Sequence, residues 1–537
     1  MIAAVQKHFR REVDLWSAST FVLALLILTP LIVVVVGLSD AGPKWDHIAS
    51  TVLWKYVWNT VLVVPLVGVL AILMAVPPAW LVSAFEFPGR RIFEWALVLP
   101  LAIPTYVAAF VYYPGLEAAI PFIVSVRQNF GFDASQVAEK IVRYGLLSIL
   151  LASVLYPYLF ISARSSFSQQ RRGVIEAAQT LGRGPISVFF SVALPLARPA
   201  LVAGLSLIVM EVVNDYGAVH FFGVPTLTEG IFRTWFGLGD RSSALRIAGL
   251  VMLAVLCLLW AEQRQRGRAR FSEHSVNSTP LARRKLGTSK AVLAIVVCVV
   301  PLGIGFLYPV FRLLGWASQT FGKVLQADFW QQLGNSLLLS LGTAAGLTAI
   351  AVIFAFATRL HHAGWLRVTS RMATLGYAAP GAVVAVGVMV ALGGVDRSLG
   401  QQVLSGTYFA IIFAYTVRFL AVPFHPVRAG MNRVCGSLDE ASRVLGQSPL
   451  LTLWKINLPL MWTTLLAATM LVFVDILKEL PLTMILRPAN FETLATTAFG
   501  LASEGRFREC SVPSLIIILA GALGLMVLNR LTKRKTG

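Results

Sequence analysis

Two copies of one short segment indicate how this chain is organised. The first reads VIEAAQTLGRGPISVFFSVALP (174–195), and the second, LDEASRVLGQSPLLTLWKINLP (438–459), follows 264 residues later. Each copy is amphipathic, is interrupted by a glycine (Gly182 or Gly446), and lies between two strongly apolar runs. Neither is apolar for long enough to cross a bilayer core of about 30 Å. The repeat therefore predicts two equivalent halves, each carrying one segment that does not cross the membrane.

The spacing within each copy predicts two short helices that meet at an angle. Residues 174–181 make about two helical turns with one apolar side, and Gly182 supplies a C-terminal stop. Pro185 suits the first position of a second helix, and Ser448 in the other copy is a suitable N-cap. The second helix should end at the Leu-Pro pair, where the next apolar run begins.

We name these segments the first elbow (174–192) and the second elbow (438–456). Both have more apolar surface than a solvated loop needs. The apolar positions of their second helices are Ile186, Phe189, Phe190 and Val192 in one copy, and Leu450, Leu453, Trp454 and Ile456 in the other. Such elbows are expected to dock onto another surface.

The composition indicates a polytopic helical membrane protein. Of the 537 residues, 57% are hydrophobic and only 13% are charged, whereas a soluble protein carries about 25% charged residues. The net charge of +20 could suggest nucleic acid, but the basic residues flank apolar runs, which favours a role in membrane topology. Runs of spanning length lie at 18–38, 57–83, 93–115, 145–163, 196–216, 244–262, 290–314, 333–357, 372–393, 405–424, 460–480 and 510–529.

These runs predict an all-α fold with about twelve transmembrane helices in two six-helix halves. The first half covers 1–265, a polar, basic linker covers 266–289, and the second half covers 290–537. Because each half has an even number of spans, the copies run in the same direction, which implies a pseudo-twofold axis along the membrane normal and a pathway between the halves.

The internal repeat extends beyond the elbows. Asn59 corresponds to Asn335, and Pro104 to Pro380, at an offset of 276, whereas the elbows match at an offset of 264. The first half therefore carries about 12 extra residues, which we place in an external loop around 116–143.

The basic residues also predict the orientation. In the twelve-span topology, about two thirds of the Lys and Arg residues lie on the side of the termini, the linker and both elbows, and most acidic residues lie on the other. Basic loops face the cytoplasm. Both termini and both elbows are therefore expected to be cytoplasmic.

The elbows carry a family signature. EAA-x3-G-x9-(I/V)-x-LP is typical of the membrane subunits of binding-protein-dependent ABC importers, and the chain resembles that family at both copies. The matching positions are Glu176, Ala177, Ala178, Gly182 and Pro195, then Glu440, Ala441, Ser442, Gly446 and Pro459. The departures, Ser442 for Ala and Val192 for Ile, are conservative.

The resemblance implies a type I permease fold in a bacterial inner membrane. It also implies that each elbow sits in a groove on an ABC ATPase, giving two ATPase copies for one chain. A periplasmic solute-binding protein would deliver cargo to an outer mouth formed by loops near 217–243 and 481–509. ATP-driven closure of the ATPases would rock the halves between inward-open and outward-open states.

The sequence contains no GxxxxGK[ST] phosphate-binding loop. ATP hydrolysis is therefore assigned to a separate subunit. We expect this chain to be a transport subunit rather than an enzyme, with no cofactor of its own.

Four acidic residues follow the elbows in equivalent pairs. At an offset of 264, Glu211 corresponds to Asp475 and Asp215 to Glu479; each pair is spaced i, i+4 and shares a helix face. Acidic residues within a membrane suggest a functional site or a buried ion pair. Lining a pathway, they would favour a hard cation. In a structural role, Lys478 and Arg487 would neutralise the second pair. No residue is assigned as a metal ligand.

The same regions bear on the cargo. YGAVHFFGVPTLTEGIFRTWF (216–236) and LKELPLTMILRPANFETLAT (477–496) resemble the ferric-iron (Fe³⁺) branch of the family. Aminoethylphosphonate and thiamine permeases are relatives, so another small solute is the alternative. A secondary transporter driven by an ion gradient also fits twelve spans and a parallel repeat, but it has no partner to receive the elbows.

Overall fold

The computed structural model describes residues 15–170, 172–267, 283–361 and 363–533. Almost all of this part is helical. It holds eight helices that are long and apolar enough to span a membrane, or up to ten if each of two bent pairs counts as one span. The all-α polytopic prediction is confirmed. One continuous candidate span, Thr105–Ser168, covers the third and fourth predicted runs.

Helices make up both halves of the chain. In the first half they are α1 (Leu15–Val36), α2 (Trp45–Thr51), α3 (Leu53–Ala84), α4 (Arg90–Ala96), α5 (Thr105–Ala118), α6 (Ile120–Ser168), α7 (Arg172–Thr180), α8 (Pro185–Val188), α9 (Leu194–Asn214), α10 (Gly217–Phe221), α11 (Leu227–Phe232) and α12 (Arg241–Gly267). In the second half they are α13 (Thr288–Leu302), α14 (Tyr308–Val324), α15 (Ala327–Leu360), α16 (Gly364–Ala373), α17 (Gly381–Leu399), α18 (Tyr408–Phe419), α19 (Ala421–Arg433), α20 (Gly436–Val444), α21 (Pro449–Thr452), α22 (Leu458–Leu460), α23 (Trp462–Leu477), α24 (Pro481–Leu486), α25 (Leu494–Ser503) and α26 (Ser511–Lys533). Short 3₁₀ segments cover Gly37–Ser39, Leu99–Ala102 and Thr374–Ala378, and π-helical segments cover Phe189–Ala193, Arg233–Gly237, Gly303–Leu307 and Leu453–Asn457.

One small strand pair joins the end of the predicted linker to the first half. Strand β1 (Phe85–Glu86) pairs in parallel with β2 (Arg284–Lys285). Most of the predicted basic linker, residues 268–282, lies outside the described residues, as do the basic start (1–14) and the last four residues.

Two predicted boundaries differ from the structure, and proline or glycine explains each difference. The third span begins at Thr105 rather than near 93, after a 3₁₀ turn and the extended N-cap residue Pro104. The predicted loop around 116–143 is helical from Ile120 onward. It breaks at Gly131, whose φ of 89° and ψ of −179° are readily adopted only by glycine.

The first helix of each half packs against the other half. The Trp16 ring at the start of α1 meets Phe356 of α15 with the centroids 5.1 Å apart. The first helix of the second half makes the reciprocal contact. The Tyr112 hydroxyl of α5 donates a hydrogen bond at 2.6 Å to the carbonyl of Ile304, which lies in the π-helical segment that joins α13 to α14. The two halves are therefore interlocked by an exchange of their first helices.

Both elbows fold as two short helices around a left-handed glycine. Gly182 has a φ of 80° and Gly446 a φ of 72°, as the C-terminal stop requires. The Ser448 hydroxyl accepts a hydrogen bond from the backbone N–H of Leu451 at 3.3 Å, which confirms the predicted N-cap. We call the end of the bundle that carries the elbows the elbow face, and the opposite end the far face.

The second helices of the elbows run into the next span through equivalent π-helical segments, Phe189–Ala193 and Leu453–Asn457. In the first half the helix continues unbroken as Ile186–Asn214. The predicted end at Pro195 is therefore wrong in the first half, because the π-helical segment Phe189–Ala193 carries the helix past this proline into the span. In the second half the chain bends by 79° between Leu460 and Trp462.

Candidate functional site

A cavity of about 110 Å³ lies between the two halves, and all four predicted acidic residues line it. We call it the central cavity. The ends of α9 and α23, which run from the elbows toward the far face, supply these residues. The residues before α5 and α17, including the equivalent Pro104 and Pro380, complete its wall.

Asp215 and Glu479 have matching structural contacts. The Asp215 carboxylate accepts hydrogen bonds from the backbone N–H groups of Ala218 at 2.9 Å and Val219 at 3.2 Å. The Glu479 carboxylate accepts one from Leu482 at 3.3 Å. Each carboxylate therefore caps the short helix that follows it, α10 or α24, in addition to lining the cavity.

Two cations in the second half also line the central cavity. Lys478 Nζ lies 3.0 Å from an oxygen of Asp475, and Arg418 Nε lies 3.7 Å from an oxygen of Glu479. The expected pairing of Lys478 is therefore present. Arg487 instead pairs with Glu492, outside the cavity lining.

Arg418 is a cavity residue that the sequence did not predict. The orientation assigns it to a cytoplasmic basic loop (418–455), which overlaps the end of the predicted run 405–424. In the structure it lies in the last turn of α18 and is 7% exposed. A single arginine within an otherwise apolar run (405–424) was the signal that could have identified it, because charged residues within a membrane span are costly.

Glu211 differs from the other three acids. Within the described part of the chain, its carboxylate makes no hydrogen bond or ion pair. It faces a cavity that also contains the Arg418–Glu479 and Asp475–Lys478 pairs. Glu211 is therefore the acid that remains available to a visiting cation.

A larger cavity of about 650 Å³ adjoins the central cavity on the side of the elbow face. We call it the vestibule. Tyr158 and Tyr377 line both spaces, together with Asp475 and Lys478. These four supply the polar groups of the boundary between the central cavity and the vestibule, and the apolar part of that boundary comes from Leu101, Leu207, Met210 and Ala378.

Toward the far face, aromatic rings close the space between the halves. The Phe499 ring of the second half lies among four first-half rings, with centroid distances of 5.5–6.4 Å. These four belong to Tyr106, Tyr216, His220 and Phe221. The two halves are thus in contact through aromatic rings on this side of the central cavity.

Carboxylates and histidines do not form a metal centre in the described residues. No three His, Cys, Asp or Glu side chains in residues 15–170, 172–267, 283–361 and 363–533 lie close enough to hold one metal ion. The four acids share a cavity without converging on one point.

The first elbow is anchored by apolar contacts. Glu176 and Ala177 are exposed, whereas Ala178 is 8% exposed and packs with the buried Val188 and the half-buried Trp80. Gly182 of this elbow is exposed, and Pro195 is half-buried at the start of the next span.

Polar contacts anchor the second elbow. Glu440 and Ala441 are exposed, but Ser442 is 3% exposed and its hydroxyl lies 2.7 Å from the Thr452 hydroxyl. Ser442 and Thr452 correspond to Ala178 and Val188, so a hydroxyl pair replaces an apolar pair. Gly446 and Pro459 are exposed.

An ion pair further holds the second elbow to the body of the protein. Arg359 Nε lies 2.6 Å from the Asp439 carboxylate, and both side chains are nearly buried. Asn457 also donates to Asp439, at 3.3 Å. The first elbow has Ile175 at the position of Asp439 and Ser83 at that of Arg359, so this anchor exists in one half only.

Both elbows keep large apolar side chains exposed. The most exposed are Leu181 at 82% and Val444 at 88%. The others are Val174, Ile186 and Phe190 in the first elbow, and Leu438, Leu445, Leu450 and Trp454 in the second. Exposed apolar clusters of this kind are typical of interaction sites.

Comparisons with known proteins agree with the two-half arrangement. The family described as "Binding-protein-dependent transport system inner membrane component" matches this chain twice, at residues 66–261 and 347–534, which together make up more than half of the chain. Each match contains one elbow and the acidic pair that follows it.

Relatives of two lengths are found. The Fe(3+)-transport system permease protein FbpB 2 of Haemophilus influenzae is 22% identical over 88% of this chain and 89% of its own length. The putative 2-aminoethylphosphonate transport system permease protein PhnV of Salmonella typhimurium is 26% identical over 48% of this chain and 97% of its own length. The sulfate transport system permease protein CysT of the same species is 27% identical over 45% of this chain and 88% of its own length.

Proposed function

We propose that this chain, which belongs to the family of binding-protein-dependent transport system inner membrane components, is the permease of an ATP-driven importer. Its proposed cargo is ferric iron. A periplasmic binding protein delivers the ion at the far face, and two ATPase subunits bind the two elbows. Both termini and both elbows then lie in the cytoplasm, in agreement with the distribution of Lys and Arg.

The charge of the central cavity carries the proposal. Its wall has four carboxylates, from Glu211, Asp215, Asp475 and Glu479, against two cations, Arg418 and Lys478. With all six ionised, the cavity has an excess of two negative charges, which attracts a cation and opposes a free anion. Carboxylate oxygens are also the ligand type that hard cations prefer.

One of the relatives that align over most of the chain supports the same cargo. The Haemophilus influenzae protein is named as an Fe(3+)-transport permease and spans both halves. The phosphonate and sulfate permeases match about half of this chain.

The second candidate is a small oxyanion such as sulfate or 2-aminoethylphosphonate. Arg418 and Lys478 on the cavity wall favour it, because guanidinium and ammonium groups bind sulfate and phosphonate oxygens. Against it, both cations already face carboxylates, so an oxyanion would have to displace a resident acid.

Transport in proteoliposomes distinguishes the two cargoes. The full chain, its ATPase and its binding protein are reconstituted, and ATP-dependent uptake of radioactive ferric iron, sulfate and 2-aminoethylphosphonate is measured. We expect iron uptake alone, with a marked decrease for Glu211→Gln. Asp328→Asn, which neutralises an exposed acid at the start of α15, is the matched control and should transport normally. Uptake of an oxyanion without iron would overturn the iron proposal, and normal iron uptake by the Glu211→Gln variant would remove Glu211 from the pathway.

A further inference from the structure

We infer that Tyr158, Tyr377, Glu211 and Asp475 form a transit site for a trivalent cation at the boundary between the central cavity and the vestibule. The inference rests on the proposed ferric-iron function and adds the residues that would hold the ion on its way through. The ligands are phenol and carboxylate oxygens, two of each.

The four residues come from both halves of the chain. Tyr158 on α6 and Glu211 on α9 belong to the first half, and Tyr377 before α17 and Asp475 on α23 belong to the second. All four line the central cavity. A site shared across the interface would assemble and open as the halves move, as transport through it requires.

The cavity linings bring the four groups together. Tyr158, Tyr377 and Asp475 line both the central cavity and the vestibule, and Glu211 lines the central cavity beside them. The two phenols and the two carboxylates therefore border one shared space, in which an ion could meet oxygens of both kinds.

Unused polar groups in the cavity wall point independently to a ligand. Within the described residues, neither the Tyr158 nor the Tyr377 hydroxyl makes a hydrogen bond. Tyr106, which lines the same cavity, is 3% exposed, and its buried hydroxyl also has no partner in the part of the chain that the structure describes. Buried polar groups are normally hydrogen-bonded, so this wall is suited to water or to an ion.

The neighbouring charged side chains make the site selective for ions of high charge. Lys478 holds Asp475 at 3.0 Å, and Arg418 faces Glu479. An arriving cation must therefore compete with the Lys478 ammonium for Asp475. A trivalent ion competes more strongly than a monovalent or divalent ion, because the Coulomb attraction grows with charge.

Phenolate is a known ligand of ferric iron, as in the tyrosine-ligated haem of catalase. As an iron–oxygen bond forms with a phenol, the phenol O–H bond breaks, its proton passes to water in the vestibule, and a water ligand leaves the iron. The ionised carboxylates replace water ligands without releasing a proton. The iron remains ferric, and no oxidant or reductant is needed. Release toward the elbow face follows when the halves separate and the protons return.

Absorption spectroscopy on the intact transporter tests the site. The full chain with its ATPase, in lipid nanodiscs without nucleotide, is titrated with ferric nitrilotriacetate. We expect a visible phenolate-to-iron charge-transfer band. The double variant Tyr158→Phe/Tyr377→Phe should lose the band. Glu211→Gln should weaken iron binding by at least about tenfold, since even changes beside metal ligands have effects of that size.

The matched control is Tyr415→Phe, which changes a buried tyrosine that lines neither cavity. It should keep the band. A band that persists in the double variant overturns the inference, as does the absence of a band in a wild-type transporter that imports iron. If the wild-type protein imports no iron in proteoliposomes, the proposed function fails instead, so the two failures are distinguishable.

Discussion

The side-chain oxygen of Asn214 lies 2.7 Å from the backbone nitrogen of Gly381, so that a hydrogen bond joins the end of α9 in the first half to the start of α17 in the second. The same oxygen accepts from Arg418 Nη1 at 3.2 Å. These two bonds cross the interface at the level of the central cavity, where the halves would have to part for cargo to enter from the far face.

Replacing Asn214 by Ala should favour the state that is open at the far face. Each lost hydrogen bond is worth about 1 kcal/mol, and 1.4 kcal/mol changes an equilibrium tenfold. In the proposed transport cycle, ATP-driven closure of the ATPases separates the same surfaces. We therefore expect ATP hydrolysis in the absence of binding protein to rise several-fold in the reconstituted complex. Asn129→Ala, at an exposed asparagine bonded within its own helix, is the control. An unchanged basal rate of ATP hydrolysis in a fully assembled Asn214→Ala complex would show that the two hydrogen bonds of Asn214 do not hold the halves together.

The two elbows should tolerate different residues at their buried position. Ala178→Ser places a hydroxyl beside Val188, where it has no partner, at a cost of about 1–3 kcal/mol. Adding Val188→Thr recreates the Ser442–Thr452 pair of the second elbow and should restore stability. The measurement is the rate of tryptic cleavage after the exposed Arg183 in the first elbow. Equal rates for the single and double variants would refute the pairing.

The Arg359–Asp439 ion pair should be needed by the second elbow alone. Arg359→Leu leaves a nearly buried carboxylate without its cation, which typically costs 3–5 kcal/mol. We expect faster tryptic cleavage after Arg443 and loss of co-purifying ATPase. The Arg359→Leu/Asp439→Leu double variant should recover much of the loss, because it removes the stranded charge. Cleavage after Arg183, in the first elbow, is the internal control and should not change.

Two glycines should be essential for the exchange of the first helices. A Cβ at Gly387 would lie 2.6 Å from the carbonyl oxygen of Pro30 in α1, and one at Gly305 would lie 2.2 Å from that of Ser153 in α6. Substituting Ala at either position should lower the thermal unfolding midpoint, since overpacking costs about 1–3 kcal/mol.

Controls for these glycines come from the same segments. A Cβ added at Gly394 or Gly303 would have no atom of another residue within 4 Å. In these helical positions Ala is the better helix former, by up to about 1 kcal/mol, so Gly394→Ala and Gly303→Ala should leave the midpoint unchanged or raise it. A similar decrease in all four variants would show that the contacts across the halves are not the cause.

Local patterns predicted the elbows well, because glycine and proline act on their own stretch of chain. Gly182 and Gly446 stop their helices, and Ser448 caps the next one, as the spacing indicated. The two-half organisation was also predictable, since it appears as an internal repeat.

Contacts between distant segments were harder to predict. Nothing near Asp215 or Glu479 in sequence revealed that each caps the next short helix, because i, i+4 spacing fits a pathway equally well. The position of Arg418 depended on where its span ends. The exchange of α1 and α13 between halves was invisible, since a uniformly apolar helix does not specify which neighbour it packs against.

Because of that exchange, the first helix of each half in the sequence is packed within the other half of the folded protein. Helix α1 is held by α15 and α17, so we expect it to move with the second half although it is encoded at the beginning of the first. The segment around Gly305 is likewise bonded to the first half and should move with it. Two polypeptides made by cutting the chain between residues 267 and 283 would each lack one helix of their own moving body, and each would have to borrow that helix from the other.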